Sequence, residues 1–211
     1  MRAKITHFTY ATRAGKMHGM DRTMSESFEE PLAALGQLLA ERGQQYEMLA
    51  IGGGALQLLG LITRPTRDID VVAFVDGTRL VPVDALPAPL QLAIEDTAAL
   101  LRLPSAWFNA GPRSLIEFGL PDGILRRARR REWGGLTLHI ADRHDQIFFK
   151  LYAAIDQGPR SKHVEDLRKL EPTADELHSA AAWARTHDPS EGFLHELNSA
   201  LRSLGVDDGH E

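Results

Sequence analysis

Asp68 and Asp70 stand two residues apart in the stretch Arg64-Pro65-Thr66-Arg67-Asp68-Ile69-Asp70-Val71-Val72. At the start of a strand, period-2 geometry turns both carboxylates to one face, within reach of a common ion. Paired carboxylates, completed by water and substrate phosphates, are the usual way of holding Mg2+. Upstream stand Gly52, Gly53 and Gly54, which end an apolar run and precede a helical one. Such a turn lets backbone amides approach a phosphate and adds the positive end of a helix. A phosphate cradle beside a Mg2+-binding acidic pair makes a nucleotide site. The expected chemistry is phosphoryl or nucleotidyl transfer, in which two metal ions can clamp the attacking and leaving oxygens. Each half alone has a plainer reading, the glycines as a turn and the Asp-x-Asp as a solvated strand end. Their succession on strand, turn, helix and strand favours the site. An acidic pair on a strand of Ile and Val is also costly unless a cation or solvent meets it.

The elements that must position these residues follow from periodicity. Residues 46–51 (YEMLAI) and 69–75 (IDVVAFV) read as buried strands by length, flanks and β-branched content. A short helix is expected over 55–61. Before the first strand, Leu32, Leu35, Leu38 and Leu39 repeat at helical spacing, with Ser25 or Ser27 as cap and Gly43 as stop. Residues 1–24 read as an extended or poorly ordered arm. Residues 81–89, with three prolines, read as a loop, and 90–103 as an amphipathic helix. Strands are expected at 114–118 and 136–141. From residue 145 the pattern is helical, with Ile147, Phe148, Leu151, Tyr152, Ala154 and Ile155 on one face, then helices near 164–170, 174–185 and 192–204. The sum is α+β: a small mixed sheet flanked by helices, with a helical C-terminal third. The expected division is an arm (1–24), a core (25–142) and a helical region completing the cleft (143–211).

Composition bounds the alternatives. With 24 Lys+Arg against 29 Asp+Glu the net charge is −5, which argues against bulk nucleic-acid coating. The 43% apolar and 25% charged content of the 211 residues excludes disorder. Absence of cysteine excludes a disulfide scaffold, a thiolate zinc site and a cysteine nucleophile, and fits a cytoplasmic setting. No apolar run approaches the ~18 residues of a membrane helix. The N-terminus lacks the apolar stretch of a secretory signal. The nine histidines show no metal-ligand pair on one helix face.

The stretch GGGALQLLGLITRPTRDIDVV is similar to the signature of the polymerase-β-like nucleotidyltransferase superfamily. Its local form resembles the branch that includes the AbiEii-type toxins of type IV toxin–antitoxin systems. A second stretch, HIADRHDQIFFKLYAAIDQGPRSKHVEDLRKL, resembles that branch's strand, lysine-bearing helix and basic turn before an Asp-Leu. The resemblance implies a nucleotidyltransferase-like fold and transfer of a nucleoside monophosphate from an NTP to an acceptor. It implies Gly52, Gly53 and Gly54 on the triphosphate with Arg67 touching phosphates, and Asp68 and Asp70 on Mg2+. Lys150 would reach a phosphate or the substrate, and Asp166 would complete the acidic set. The superfamily's third carboxylate usually lies on a later strand, where Glu117 and Asp142 are the candidates; the branch favours Asp166. The branch commonly reads Lys-Asp where this chain has Lys162-His163. Among apolar neighbours, Lys150 needs a counter-charge or must snorkel to solvent.

Arg126, Arg127, Arg129, Arg130 and Arg131 fill five of six positions. They read either as soluble surface or as contacts to RNA phosphates, which would make binding fall with salt. Trp133 beside them either packs or stacks a base. The branch resemblance implies a toxin-like role with a cognate antitoxin as partner, and an RNA acceptor such as a tRNA end is one expectation, which the arginine run would suit. A drug-sized acceptor is a second. A nucleotidyltransferase fold without catalysis, acting by binding, is a third.

Overall fold

A computed structural model describes residues 28–117, 119–158 and 160–206. The arm at 1–24, the capping serines 25 and 27, and Phe118 lie outside the described residues. In chain order the elements are α1 (Glu29–Glu41), β1 (Tyr46–Ile51), α2 (Gly52–Leu58), β2 (Ile69–Asp76), β3 (Arg79–Pro82), α3 (Ala88–Leu101), β4 (Phe108–Asn109), a 3₁₀ turn (Gly111–Ile116), α4 (Ile124–Arg127), β5 (Arg129–Trp133), β6 (Leu136–Ile140), α5 (Arg143–Gln157), α6 (Lys162–Leu170), α7 (Ala174–His187) and α8 (Glu191–Ser203).

The fold is α+β. Six strands form a mixed sheet in the order β3-β2-β1-β6-β5, with β4 beside β2. β1 runs antiparallel to β2 and parallel to β6, so the sheet's centre is made by the two strands that flank the candidate site. Ile69 and Val71 point to one face, where Leu32, Leu35 and Leu39 of α1 and Leu90, Ala93 and Ile94 of α3 bury them. The opposite face carries Leu49, Val72, Ala73 and Val75 against Phe149 of α5. Between Leu49 and Ala50 the register with β2 shifts by one residue, leaving Val72 unpaired. This bulge puts the neighbours Val72 and Ala73 on the same side and sits next to Asp70. Gly36 admits close contact of α1 with the β5–β6 hairpin: Gly135 N–H donates to Gly36 C=O at 2.7 Å. A Cβ on Gly36 would lie 1.7 Å from the Trp133 carbonyl oxygen.

A second core joins α5, α6, α7 and α8 through Ile147, Leu151, Val164, Leu167, Leu177 and Leu197. Leu56 of α2 and Ile62 belong to this core, so the helical third closes directly over the segment between the glycines and the acidic pair.

Three expectations are corrected. The short helix expected over 55–61 runs over Gly52–Leu58, so the three glycines form its first turn and do not precede it. Residues 114–116 are not strand but the end of the 3₁₀ turn. Asn109 Oδ1 accepts the Gly111 N–H at 2.7 Å and Pro112 follows, so the chain turns where its apolar residues suggested extension. Arg79–Pro82, which runs into the loop expected at 81–89, pairs antiparallel with β2 as a short edge strand. Its proline lies at the strand's end, where a missing donor is tolerated.

Candidate active site

β1 delivers the chain to the glycine turn, and β2 carries the acidic pair back alongside it: Ile51 pairs with Asp70. The glycines are required by this closeness. Gly52 has φ +82°, and a Cβ there would lie 2.8 Å from Asp70 Oδ2. A Cβ on Gly54 would lie 2.4 Å from the Asp68 carbonyl oxygen. The N-terminus of α2 is thus seated against the Asp68–Asp70 segment. The Gly52 N–H donates to Gln146 Oε1 at 3.0 Å, and Gln146 in turn donates to the Ala141 carbonyl, so a buried side chain of α5 braces the turn.

Asp70 is half-buried, and burial and the charge of Asp68 push its carboxyl above the usual carboxylate range. Asn109, which pairs with it across β2 and β4, pulls the other way, as do Lys150 and Lys162. Thr66 Oγ1 donates to Asp68 Oδ1 at 3.4 Å. Among the described residues neither carboxylate makes an ion pair. Two neighbouring, partly buried carboxylates that repel one another and make no ion pair among the described residues fit a hard divalent ion. Such a donor set suits Mg2+, which keeps several waters and takes one or two carboxylates. No group of three acidic or histidine side chains around one point occurs among the described residues.

The proposed third carboxylates take other places. Asp166 is fully buried, and both its oxygens are engaged. Arg64 donates from Nε to Oδ1 and from Nη2 to Oδ2, each at 2.7 Å, and Lys150 Nζ donates to Oδ2 at 2.7 Å. Burial opposes the Asp166 charge, but Arg64 and Lys150 outweigh it and hold the carboxyl below its ordinary value. Lys150, 3% exposed, has found a counter-charge and does not snorkel. Burial nevertheless draws it below the ordinary lysine range. Arg64, which cannot shed its proton, is therefore the stronger partner. Asp142 caps α5, accepting the His144 N–H at 3.0 Å, and Glu117 is exposed after the 3₁₀ turn. His163 is held uncharged, with a pKa pushed down to about 4 by burial and by Lys150 and Lys162. Neither of its ring nitrogens finds a partner among the described residues.

Arg64 and Gln146 are the residues that sequence reasoning overlooked. A Cβ on Gly53 would sit 3.1 Å from Arg64 Nη2, so the guanidinium lies over the glycine turn, while Arg67 is exposed. An arginine before a proline reads as loop surface, so Arg64 carried no signal of its own. Gln146 did: it lies four residues before Lys150, a second polar side chain on the apolar face of α5.

The arginine run is divided between α4 and β5 and largely neutralised. Arg127 pairs with the buried Asp145 at 2.5 Å, and Arg131 makes a two-pronged bridge to Glu29. Arg130 meets Glu132 and Glu47. Among the described residues Arg126 and Arg129 make no ion pair. Trp133 donates to Glu29 at 3.3 Å and lies under the Arg131 guanidinium, so its ring is packed. Comparison with known proteins assigns the chain to no family: no family model, no curated protein and no solved structure matches it.

Proposed function

We propose that this chain is a Mg2+-dependent nucleotidyltransferase of the cytoplasm, moving a nucleoside monophosphate from an NTP to an acceptor hydroxyl with release of pyrophosphate. The observation that carries the reading is the seating of the glycine turn against Asp68 and Asp70, with Arg64 over it. Asp68 and Asp70 would hold Mg2+, which supplies charge neutralisation to the triphosphate and its leaving group. The glycines permit close backbone approach. The Arg64 guanidinium is pre-aimed by Asp166 and offers a fork of donors suited to phosphate oxygens. Lys150 acts by fixing Asp166, and through it Arg64. A toxin role with a cognate antitoxin rests on the sequence resemblance. Among the described residues no helix is long and apolar enough to cross a membrane.

The test is transfer of label from an α-phosphorus-labelled NTP into the RNA and small-molecule fractions of a cell extract. Asp70→Asn is expected to reduce transfer by about 10²–10³-fold, in line with removal of a directly acting electrostatic group, while its circular dichroism spectrum stays that of the wild type. Full transfer by Asp70→Asn overturns the assignment. A second reading, a binding protein without turnover, is favoured by the absence of a third acidic side chain at the pair among the described residues. It predicts NTP binding with no transfer from the wild type.

A further inference from the structure

Among the described residues three large apolar side chains are exposed, and two of them stand on the outer face of α3: Leu92 at 56% and Leu100 at 75%. Eight residues apart, they lie on one side of the helix, with Ala99 exposed between them. Beside Leu100 a groove of about 400 Å³ runs between α1 and α3, lined by Ala34, Gln37 and Leu38 of the one and Thr97 and Leu100 of the other. α1 and α3 cover one face of the sheet and α5 the other, so this surface lies across the sheet from α5.

The charges on this face have an order. Asp96, between Leu92 and Leu100, is already met by Arg42 at 2.5 Å. Glu95 and Arg102 make no ion pair among the described residues. They are seven residues apart, two turns of helix, and so share one flank, while Leu100 stands on the other beside the groove. A projecting leucine next to a hole, with an acid and a base on one flank, makes this surface complementary to itself. Two antiparallel copies of α3, related by a two-fold axis passing midway between Glu95 and Arg102, bring Glu95 of each copy opposite Arg102 of the other. On the other flank the same operation carries Leu100 of each copy to Thr97 of the other, at its groove. Ala99 falls beside the axis, where a small side chain lets the helices approach.

We propose that this face joins two copies of the chain in an isologous dimer, with Leu100 of each seated in the α1–α3 groove of the other. Leu92 and Ala99 complete the apolar centre, and the two Glu95–Arg102 pairs fix the antiparallel register at the rim. α1 has 13 residues and α3 has 14, so each is ~20 Å long, and at a spacing of ~9 Å the two present a plate that buries roughly 1,000 Å² from both copies. That is the size of a weak or transient contact, so association is expected in the micromolar range. The inference is independent of the nucleotidyl-transfer reading.

Sedimentation equilibrium of the full chain, from about 1 µM to about 500 µM, is expected to show a reversible dimer. Leu100→Ser changes an exposed position, so it should keep the fold and raise the dissociation constant at least ~10-fold. Glu95→Arg sets like charges opposite one another and should weaken the dimer about 10-fold, while Glu95→Arg/Arg102→Glu restores it. Because the chain has no cysteine, Ala99→Cys reports the axis. Under mild oxidation it should form a disulfide-linked dimer, which needs Cα atoms within ~7 Å. Gln91→Cys, exposed on the same helix but held ~22 Å from its counterpart by this axis, should not. A chain that stays monomeric across the range overturns the proposal. So does a dimer that Leu100→Ser leaves intact, that the charge exchange fails to restore, or that Gln91→Cys captures as readily as Ala99→Cys.

Discussion

Asp166 does not face an open cleft. It has no exposed surface and is held by three hydrogen bonds from two cations, one of which overlies the glycine turn. Removing it would leave the buried Lys150 without its counter-charge and the partly exposed Arg64 with only the Pro65 carbonyl. Lys150 can relieve itself by losing a proton, since burial already lowers its pKa, but Arg64 cannot. Breaking a buried pair of this kind costs about 3–5 kcal/mol, so Asp166→Ala is expected to lower the unfolding free energy by about 3 kcal/mol. Urea unfolding reads this directly. A loss under ~1 kcal/mol would mean that the charges are solvated and that Asp166 does not hold Arg64. The residue pattern named Asp68 and Asp70, and the family resemblance implied Lys150 and Asp166, but neither showed that the last two pair with each other. Spacing along a chain tells which residues share an element, while the pairing of α5 with α6 is a tertiary fact. Arg64 was hidden for the same reason, because its partner lies 102 residues away.

At the scale of elements, β1 and β2 were legible because both are continuous apolar runs bounded by glycine or charge, and the C-terminal helices because their periodicity is sustained. The segment Gly111–Ile116 was misread because Leu115 and Ile116 look like strand residues, whereas the Asn109 side chain and Pro112 decide the backbone locally. β4 and β3 are two and four residues long, too short for alternation to register. The start of α7 carries a pH dependence of its own. Thr173 and Glu176 form a capping box, and Arg143 from α5 bonds the same carboxylate. Arg143 and the Thr173 backbone outweigh burial and bring Glu176 from 4.5 down to about 2. Because the folded pKa is below the unfolded one, the unfolded chain takes up the proton first as pH falls. The stabilisation is complete above 4.5 and is lost as pH drops toward 2. Glu176→Gln is therefore expected to lower Tm at about pH 6 and to shrink the fall in Tm between about pH 6 and about pH 3. Thermal melts followed by circular dichroism at the two pH values would show an undiminished fall if this carboxylate had no part in it.

For the whole molecule, the boundary expected at residue 142 is not a seam between cores. Leu56 and Ile62, from the sheet-bearing part, are buried in the helical core, while Phe149 from α5 is buried on the sheet. The two parts should therefore unfold as one. Trp107 lies in the core under α3 and Trp183 in the aromatic cluster of α5, α7 and α8. Variants keeping only one of these tryptophans are expected to report coincident transitions in denaturant; separated midpoints would show that the helical third unfolds on its own. This continuity links the halves of the proposed site, since α5 supplies both the brace for Gly52 and the lysine that holds Asp166.

The central claim is that Asp68, Asp70 and the glycine turn form a Mg2+-dependent nucleotide site. Calorimetric titration of the four NTPs, with and without Mg2+, into the wild type and Asp68→Asn/Asp70→Asn tests it most directly. The account predicts binding of at least one NTP to the wild type only when Mg2+ is present, and loss of that binding in the variant. NTP binding that is indifferent to Mg2+ and survives both substitutions would contradict it.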